Sequence, residues 1–283
     1  MRILRTTEEV RAAVRDARSR GDVVGLVPTM GALHEGHLSL IRRARADNDL
    51  VVVSLFVNPA QFAAHEDLGA YPRTEQRDAE LAEAAGADIL FAPAVDEIYP
   101  DGFATRIHVS GITEVLCGAH RGPAHFDGVA TVVTKLFQIV APHAAYFGQK
   151  DAQQVLVVRR LVRDLDLPVR IVACPIVREA DGLAMSSRNA YLDPEARQRA
   201  TALNRALDAA ATAVARGETS APAVLDAART VLAAAGIEPE YLELRSPDDL
   251  RALDRVSGSA LLAVAAQVGK ARLIDNRILE APR

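Results

Sequence analysis

Short apolar runs alternate with amphipathic segments through the first 175 residues of the chain. The runs have the length and composition of buried parallel strands, and they cover residues 23–27, 50–57, 89–92, 144–147 and 169–172. Between them, apolar residues recur at helical spacing up to residue 46 and over residues 74–85, 129–140 and 151–165. This alternation predicts an α/β fold with a doubly wound parallel sheet.

The pattern changes beyond Arg178. Alanine-rich segments with helical character cover residues 194–216 and 221–235, and strand-like runs cover residues 241–244, 260–266 and 271–274. These elements predict a second, smaller α+β unit. We therefore expect two domains, residues 1–176 and 177–283, with the boundary near Ile176.

Length, charge and cysteine content restrict the class of protein. A chain of 283 residues can bury a sizeable core, and its net charge of -4 gives no overall attraction to nucleic acid or to an acidic membrane surface. No apolar run approaches a membrane span, and residues 1–10 lack the apolar run of a signal peptide. We expect a cytoplasmic protein with no nucleic-acid or membrane partner, in which Cys117 and Cys174 are reduced and buried.

The segment P-T-M-G-A-L-H-E-G-H, from Pro28 to His37, joins the first apolar run to an amphipathic helix. We call residues 30–37 the histidine turn. Its backbone N–H groups and two imidazoles would gather at a helix N-terminus, which favours phosphate. His34 and His37 are three residues apart and could contact one oxyanion from the same helix face. Two other interpretations stay open: a metal site, although zinc helices space histidines by four and need a third ligand, and a structural role.

The segment M-S-S-R-N, residues 185–189, is called the serine loop below. Ser186 and Ser187 supply hydroxyls and Arg188 supplies a guanidinium, a set suited to gripping phosphates. Read alone, the segment is only a polar loop. It lies just past the expected domain boundary, where a domain could close over a ligand.

Further candidate residues follow the predicted strands, at the edge where open α/β sheets bind ligands. Asn58 and Gln61 place two amides beside apolar residues, which suits a small hydroxy acid, although both could instead cap the next helix. Gly148 would let the backbone approach a ligand, and Lys150 would supply a point charge for phosphoryl chemistry. Gln154, one turn further on, would point into the same cleft.

Ordered motifs connect the chain with a known family. They read V-P-T-M-G-A-L-H-E-G-H, F-V-N-P-A-Q-F, Y-P-R-T, H-F-D-G-V-A-T-V-V, F-G-Q-K-D-A-Q-Q, R-E-A-D-G-L-A-M-S-S-R-N and R-L-I-D-N. With them the chain resembles, over essentially its whole length, the pantothenate synthetase family of pantoate–β-alanine ligases. That family belongs to the nucleotidyl-transferring superfamily with H-I-G-H and K-M-S-K-S signatures.

The resemblance implies a Rossmann-like N-terminal domain that binds ATP and pantoate, a smaller C-terminal lid domain, ATP with Mg²⁺, and a homodimer. It also implies that pantoate is activated as an acyl adenylate with loss of pyrophosphate, and that the β-alanine amine then displaces AMP. Carried over by motif, the ATP site comprises Met30, Gly31, Ala32, Leu33, His34, Glu35, Gly36, His37, Gly148, Gln149, Lys150, Asp151, Val177, Met185, Ser186, Ser187 and Arg188. Gln61 and Gln154 would hold pantoate, and His37 would be the proton donor.

That chemistry builds charge on the α-phosphate and on the leaving pyrophosphate, and fixed donors around this charge are usually the largest catalytic contribution. The donors we expect there are His34, His37, Lys150, Ser186, Ser187 and Arg188. Neither a covalent protein nucleophile nor a protein-held metal is needed.

Three other functions remain to be weighed. A nucleotidyltransferase acting on a phosphorylated acceptor would share the histidine turn, but its product would keep the nucleotide. An aminoacyl-tRNA synthetase would need a surface for tRNA, which the acidic total does not favour. A nucleotide-binding regulator without turnover would not need both histidines, Lys150 and the serine loop.

One stretch departs from the family pattern, which usually reads R-P-G-H-F where this chain has R-G-P-A-H-F, residues 121–126. The extra residue predicts a loop that bends differently and displaces Arg121 from the cleft. We expect a local surface bulge, with the helix from Gly128 keeping its place.

Overall fold

The computed structural model describes residues 1–62, 68–69 and 71–281. Its strands are β1 (Arg2–Leu4), β2 (Val24–Thr29), β3 (Leu50–Leu55), β4 (Ile89–Phe91), β5 (Ala144–Gly148), β6 (Arg170–Cys174), β7 (Pro239–Arg245), β8 (Ser259–Val268) and β9 (Ala271–Glu280). Its α-helices are α1 (Thr7–Ser19), α2 (Glu35–Asp47), α3 (Glu75–Ala84), α4 (Val95–Ile98), α5 (Cys117–Arg121), α6 (Pro123–Val140), α7 (Ala152–Asp164), α8 (Pro194–Ala200), α9 (Ala202–Ala215) and α10 (Ala221–Ala234). Short 3₁₀ helices cover Pro59–Gln61, Gln149–Asp151 and Ser187–Tyr191.

The described chain divides into two compact units. The first comprises Met1–Glu114, Gly118–Gln149 and Gln153–Pro175, and the second comprises Val115–Cys117, Lys150–Ala152 and Ile176–Arg283. The second unit therefore includes two short segments that precede its main part by many residues. One of them carries Lys150.

The first unit is built on a six-stranded parallel sheet with the order β1-β4-β3-β2-β5-β6. Side chains alternate between its two faces, as the two-residue period of a strand requires. On β2, Val24 and Leu26 pack with residues of α1, α6 and α7, whereas Val27 packs with residues of α2 and α3. Because helices cover both faces, the predicted doubly wound α/β fold is confirmed.

The second unit contains a three-stranded antiparallel sheet with the order β7-β8-β9. Alanine and leucine side chains of α9 and α10 form one core with the apolar residues of β8, of which Ala260, Leu262 and Val264 are fully buried. The predicted smaller α+β fold of this part is confirmed. The predicted helix over residues 194–216 is divided at Thr201, whose hydroxyl donates to the carbonyl of Gln198 at 2.7 Å.

Two elements near the start of the chain lay outside the predicted pattern. The strand β1 is only three residues long and pairs along one side with β4, so it carries little periodic signal. Helix α1 begins with a capping box between Thr6 and Glu9.

Within the described part of the chain, no helix combines the length and the apolar character needed to cross a membrane.

Candidate active site

The order of the strands locates a binding crevice in the first unit. From β2 the chain proceeds to β3 and β4 on one side, and it then returns to β5 and β6 on the other. The neighbouring strands β2 and β5 form the point where the order reverses, and open α/β sheets bind ligands beyond the carboxyl ends of the strands at such a point. β2 ends at Thr29, immediately before the histidine turn, and β5 ends at Gly148.

The histidine turn is held by a carboxylate that the sequence did not single out. Asp78, on α3, is only 1 % exposed. Its two oxygens accept the backbone N–H groups of Ala32 at 2.9 Å and Leu33 at 2.7 Å. The Thr74 hydroxyl donates to the same carboxylate at 3.2 Å. Gly31 next to this contact has φ +91°, so the chain folds around Asp78 through a conformation that suits glycine.

A capping box at the start of α2 fixes the two histidines relative to each other. His34 is the N-cap, and its Nδ1 accepts the N–H of Gly36 at 3.1 Å. The Nδ1 of His37 accepts the N–H of His34 at 3.4 Å, and the ring centroids are 4.1 Å apart. In a neutral imidazole only one nitrogen carries hydrogen, so both rings carry it on Nε2. Each ring is therefore fixed as an Nε2–H donor.

The expectation that backbone N–H groups of this turn bind phosphate stays a prediction, which these contacts narrow to the other N–H groups of the turn. The N–H groups of Ala32, Leu33, His34 and Gly36 already have acceptors within the protein. A backbone N–H group that is shielded from water needs an acceptor, and for these four groups the protein supplies it.

Asn58 and Gln61 form a second polar group in the first unit. The Gln61 side chain accepts from Nδ2 of Asn58 at 3.0 Å and donates to the sulfur of Met30 at 3.2 Å. Asn58 also donates to the carbonyl of Gly128 at 3.1 Å, and its own oxygen accepts the N–H of Ala60 and the hydroxyl of Tyr99. Burial raises the pKa of Tyr99 to about 12, so its phenol stays protonated as that donor.

Asn58 therefore has a different role from Gln61. Both protons and both lone-pair directions of its amide are occupied, and the residue is 1 % exposed. It caps the 3₁₀ helix Pro59–Gln61, which was the alternative interpretation of this residue. It orients the Gln61 amide rather than facing a ligand itself.

Helix α6 approaches this group closely. A side-chain carbon added at Gly128 would lie 2.3 Å from the carbonyl oxygen of Ala60, so only glycine lets the helix and the 3₁₀ helix pack together. His125, one turn earlier, holds the main chain of Gln61 through Nδ1 at 2.9 Å from its carbonyl oxygen, and its Nε2 lies 3.0 Å from Nη1 of Arg121.

The expected bulge at residues 121–126 is wrong. α6 begins at Pro123 rather than near Gly128, and α5 ends at Arg121, so Gly122 is the joint between two helices. Gly122 has φ 81° and ψ 166°, a backbone region used almost exclusively by glycine. Proline suits the first helical position because its missing N–H needs no partner there. The unusual residues thus form a sharp turn between helices, and Arg121 pairs with His125 beside Gln61.

The serine loop follows a small hairpin in the second unit. Arg178 and Ala184 form a β-bridge, and the N–H of Met185 donates to the carbonyl of Val177 at 3.0 Å. The hydroxyl of Ser186 accepts the N–H of Arg188 at 3.2 Å and starts the 3₁₀ helix Ser187–Tyr191. Ser186, Ser187 and Arg188 are all partly exposed.

Asn189 holds the serine loop in place, because its side-chain amide donates to Glu179 at 2.7 Å and to the carbonyl of Ala184 at 3.1 Å. Glu179 in turn accepts two hydrogen bonds from Arg197 at 3.0 and 2.7 Å. The Arg197 guanidinium holds the pKa of Glu179 below its usual range.

Lys150 also belongs to the second unit, within the 3₁₀ helix Gln149–Asp151. Its ammonium lies 3.9 Å from the Asp151 carboxylate, and its carbonyl oxygen accepts the side-chain N–H of Asn276 at 2.9 Å. The Lys150 side chain is 20 % exposed, so its charge can reach a ligand without full desolvation.

The remaining candidates lie in the first unit. A side-chain carbon at Gly148 would meet no atom within 4 Å, so the space beside it is open, as our expectation of a close ligand requires. Gln154 is half-buried on α7, whereas its neighbour Gln153 is buried and donates to the carbonyl of Ile112 at 2.8 Å. Gln149 precedes Lys150 in the same 3₁₀ helix.

The cysteines and the question of a metal are simpler. Cys117 and Cys174 are buried, as predicted, and form no disulfide, and burial raises the pKa of the Cys174 thiol. Among the described residues no three His, Cys, Asp or Glu side chains come together as metal ligands, so His34 and His37 have no third ligand there.

Comparison with known proteins decides the family. The family model described as pantoate-beta-alanine ligase matches residues 2–278. The chain belongs to the pantoate–β-alanine ligase family. A pantothenate synthetase of Acetivibrio thermocellus is 52 % identical over 284 residues, covering 99 % of this chain and 100 % of the relative. One of Roseiflexus castenholzii is 56 % identical over 282 residues, covering 99 % and 100 %.

Solved structures of ligases from this family agree with the fold. The pantothenate synthetase of Thermus thermophilus superposes with a TM-score of 0.94 at 49 % identity, and each chain is covered completely. The pantoate-beta-alanine ligase of Francisella tularensis, solved with beta-gamma ATP and beta-alanine, superposes with a TM-score of 0.81 at 34 % identity, with 98 % and 97 % covered.

Three residues that hold candidate site residues in place were not found from the sequence. Asp78 contacts backbone 45 and 46 residues away, and Tyr99 reaches Asn58 41 residues away, so no local spacing could reveal them. Asn276 stood in the quoted R-L-I-D-N motif, but the motif alone gave it no role. A buried asparagine in an otherwise apolar strand pattern was the signal available.

Proposed function

We propose how this pantoate–β-alanine ligase, an ATP-dependent enzyme that forms AMP, divides its reaction between the two groups of residues described above. The carboxylate oxygen of pantoate attacks the α-phosphorus of ATP, the bond to pyrophosphate breaks, and pantoyl adenylate forms. The β-alanine nitrogen then attacks the acyl carbon, the bond to AMP breaks, and the amine loses a proton as the amide forms.

The observation that carries the proposal is the fixed tautomer of the two histidines. Because Nδ1 of each ring is an acceptor for backbone N–H, each Nε2–H is oriented before any substrate arrives. Oriented donors stabilise developing charge without reorganisation, which is the main source of such catalysis. We assign the Nε2–H of His37 as a hydrogen-bond donor to the charge that develops at the α-phosphate, with His34 as its neighbour.

The amide groups are assigned to pantoate. Gln61 has its side chain oriented by Asn58 and lies against Met30 of the histidine turn. A pantoate hydroxyl held by this amide would lie close to that turn. Gln154 supplies the second amide in this proposal.

The cationic and hydroxyl groups of the second unit are assigned to the phosphates. Lys150, Ser186, Ser187 and Arg188 combine one ammonium, two hydroxyls and one guanidinium, all donors to phosphate oxygen. We place the leaving pyrophosphate against this set, with Val177, Met185, Gln149 and Asp151 beside the nucleotide. A mixed anhydride hydrolyses in water, so a lid function of the second unit would protect it.

Mg²⁺ is expected to accompany ATP. The described residues hold no cluster of His, Cys, Asp and Glu side chains able to ligate it alone. We therefore treat it as part of the MgATP substrate, which matches the way Mg²⁺ is usually carried on phosphates, and we assign no step to it. A cytoplasmic homodimer is the form in which we expect the enzyme to act.

Exchange of labelled pyrophosphate into ATP tests this scheme. Exchange should require pantoate and proceed without β-alanine, because activation precedes amide formation. Synthesis should release AMP. A requirement for β-alanine, or release of ADP, would contradict an adenylate intermediate.

A further inference from the structure

Two adjacent buried residues of β9 hold both of the segments that the second unit offers to ATP. Asp275 is 2 % exposed and Asn276 is 4 % exposed. The Asp275 carboxylate accepts Nη1 of Arg178 at 2.6 Å and Nη2 at 3.0 Å. The Asn276 amide donates to the carbonyl of Lys150 at 2.9 Å. Successive residues of a strand point to opposite faces, so this pair can reach two different segments.

The contact of Asp275 fixes the hairpin that leads to the serine loop. Two parallel N–H···O bonds between guanidinium and carboxylate are strong and geometrically specific. Arg178 also donates to the carbonyl of Gly182 at 3.1 Å, and its backbone forms the bridge with Ala184. One guanidinium thereby ties the two arms of the hairpin to the strand.

The contact of Asn276 is with the main chain of Lys150 rather than with its ammonium. It sets where the lysine backbone lies and leaves the side chain to act on a ligand. The N–H of Asn276 donates to Asp275 at 2.8 Å, which joins the two contacts into one network.

The strand also has extensive main-chain pairing that is independent of these side chains. β9 pairs with β8 in register over its whole length, from Ala271 opposite Val268 to Glu280 opposite Ser259. Burying a carboxylate and an amide is costly unless each is fully bonded, and apolar residues often stabilise such positions as well. Their contacts therefore point to positioning.

We infer that Asp275 and Asn276 are positioning residues for adenylation: Asn276 sets the Lys150 backbone, and Asp275 sets the serine loop through Arg178. This rests on the proposed function, which gives Lys150 and Arg188 their contacts with the phosphates. Neither residue of the pair touches the substrate.

A double-mutant cycle separates positioning from general stability. Asn276→Ala should lower kcat for pantoate-dependent pyrophosphate exchange about 10- to 100-fold, the size of effect that misplacement by about 1 Å produces, with the KM for ATP within about threefold. Lys150→Ala should lower kcat at least as much. The double variant should match Lys150→Ala, because a residue that acts only through Lys150 has nothing left to position.

The second arm repeats this design on the other segment. Asp275→Asn keeps the size of the side chain but puts a donor against Arg178, and its effect on kcat should become smaller in an Arg188→Ala background, because part of that effect acts through Arg188. Non-additive effects in either cycle support the assignment of the positioning residue that the cycle tests. Fully additive effects, or an unchanged kcat, in both cycles overturn the inference.

Arg277→Ala on the same strand is the matched control. Arg277 bonds Asn204 at 3.2 Å and pairs with Asp208, two residues of α9. It should keep the wild-type kcat while shifting the urea midpoint. If Arg277→Ala loses as much kcat as Asn276→Ala at equal stability, the effect is structural and the inference fails. Absence of pantoate-dependent exchange in the wild type would instead refute the proposed function.

Discussion

The histidine turn and the serine loop are held in different ways. The turn depends on one buried carboxylate, Asp78, which bonds its backbone at two successive residues. The hairpin before the loop is tied by the buried Asp275 through Arg178, but the loop itself is held by several partly exposed side chains, among them Glu179, Asn189 and Arg197. When a buried anchor is changed, the groups that it bonded are left unsatisfied, and the loss of stability is large. When one of several exposed contacts is removed, the loss of stability is small.

The difference suits the chemistry assigned to each segment. An imidazole that donates a hydrogen bond to developing charge must keep its tautomer and direction, and the cap at His34 and His37 provides both. Four changes would break or sharpen this comparison.

The largest effect should come from the turn itself. His37→Ala removes one oriented donor and should lower the rate of pyrophosphate exchange by about 10² to 10³. His108→Ala is the control, because His108 is exposed and pairs with Asp127, away from the turn. Exchange at the wild-type rate in His37→Ala would remove its assigned role.

Changing the anchor of the turn should come next. Asp78→Asn leaves one buried N–H facing an amide NH₂, which should lower the free energy of unfolding by about 2 kcal/mol and slow exchange as well. Urea unfolding and exchange rates measure the two effects. Glu75→Gln on the same helix breaks an exposed pair with Arg5 and should cost less than about 1 kcal/mol. Equal losses in the two variants would refute the single-anchor description.

A smaller effect is expected beside the turn. Gln61→Ala removes the amide oriented by Asn58 and should raise the pantoate KM about tenfold, or about 1.4 kcal/mol, with the KM for ATP little changed. Steady-state kinetics with each substrate varied will show this. An unchanged pantoate KM would place the substrate elsewhere.

The smallest effect concerns the serine loop and pH. Hydrogen bonds from Arg197 lower the pKa of Glu179, so its stabilisation is full above the ordinary glutamate value of about 4.3 and is lost as pH falls through the lower folded value. Glu179→Gln should make the urea midpoint less dependent on pH between about 5 and 3, with a change below about 1 kcal/mol. A shift confined to neutral pH would contradict this origin.

Sequence reasoning succeeded where the signal was local. The β-α alternation predicted the parallel sheet, and the spacing of His34 and His37 predicted two neighbouring rings. It failed where a contact joins distant parts of the chain, as between Asp78 and the histidine turn. It also failed at Gly122, because the family pattern gave no reason to expect a joint between two helices.

The bond between Asn276 and Lys150 spans 126 positions of the chain. A ribosome makes the lysine well before the strand that sets its backbone, and β9 is the last strand of its sheet to emerge. A nascent chain that already has its parallel sheet and its histidine turn would still lack the bond from Asn276 that sets the Lys150 backbone. If Lys150 acts as proposed, adenylation would therefore reach its full rate only after synthesis of the last strand.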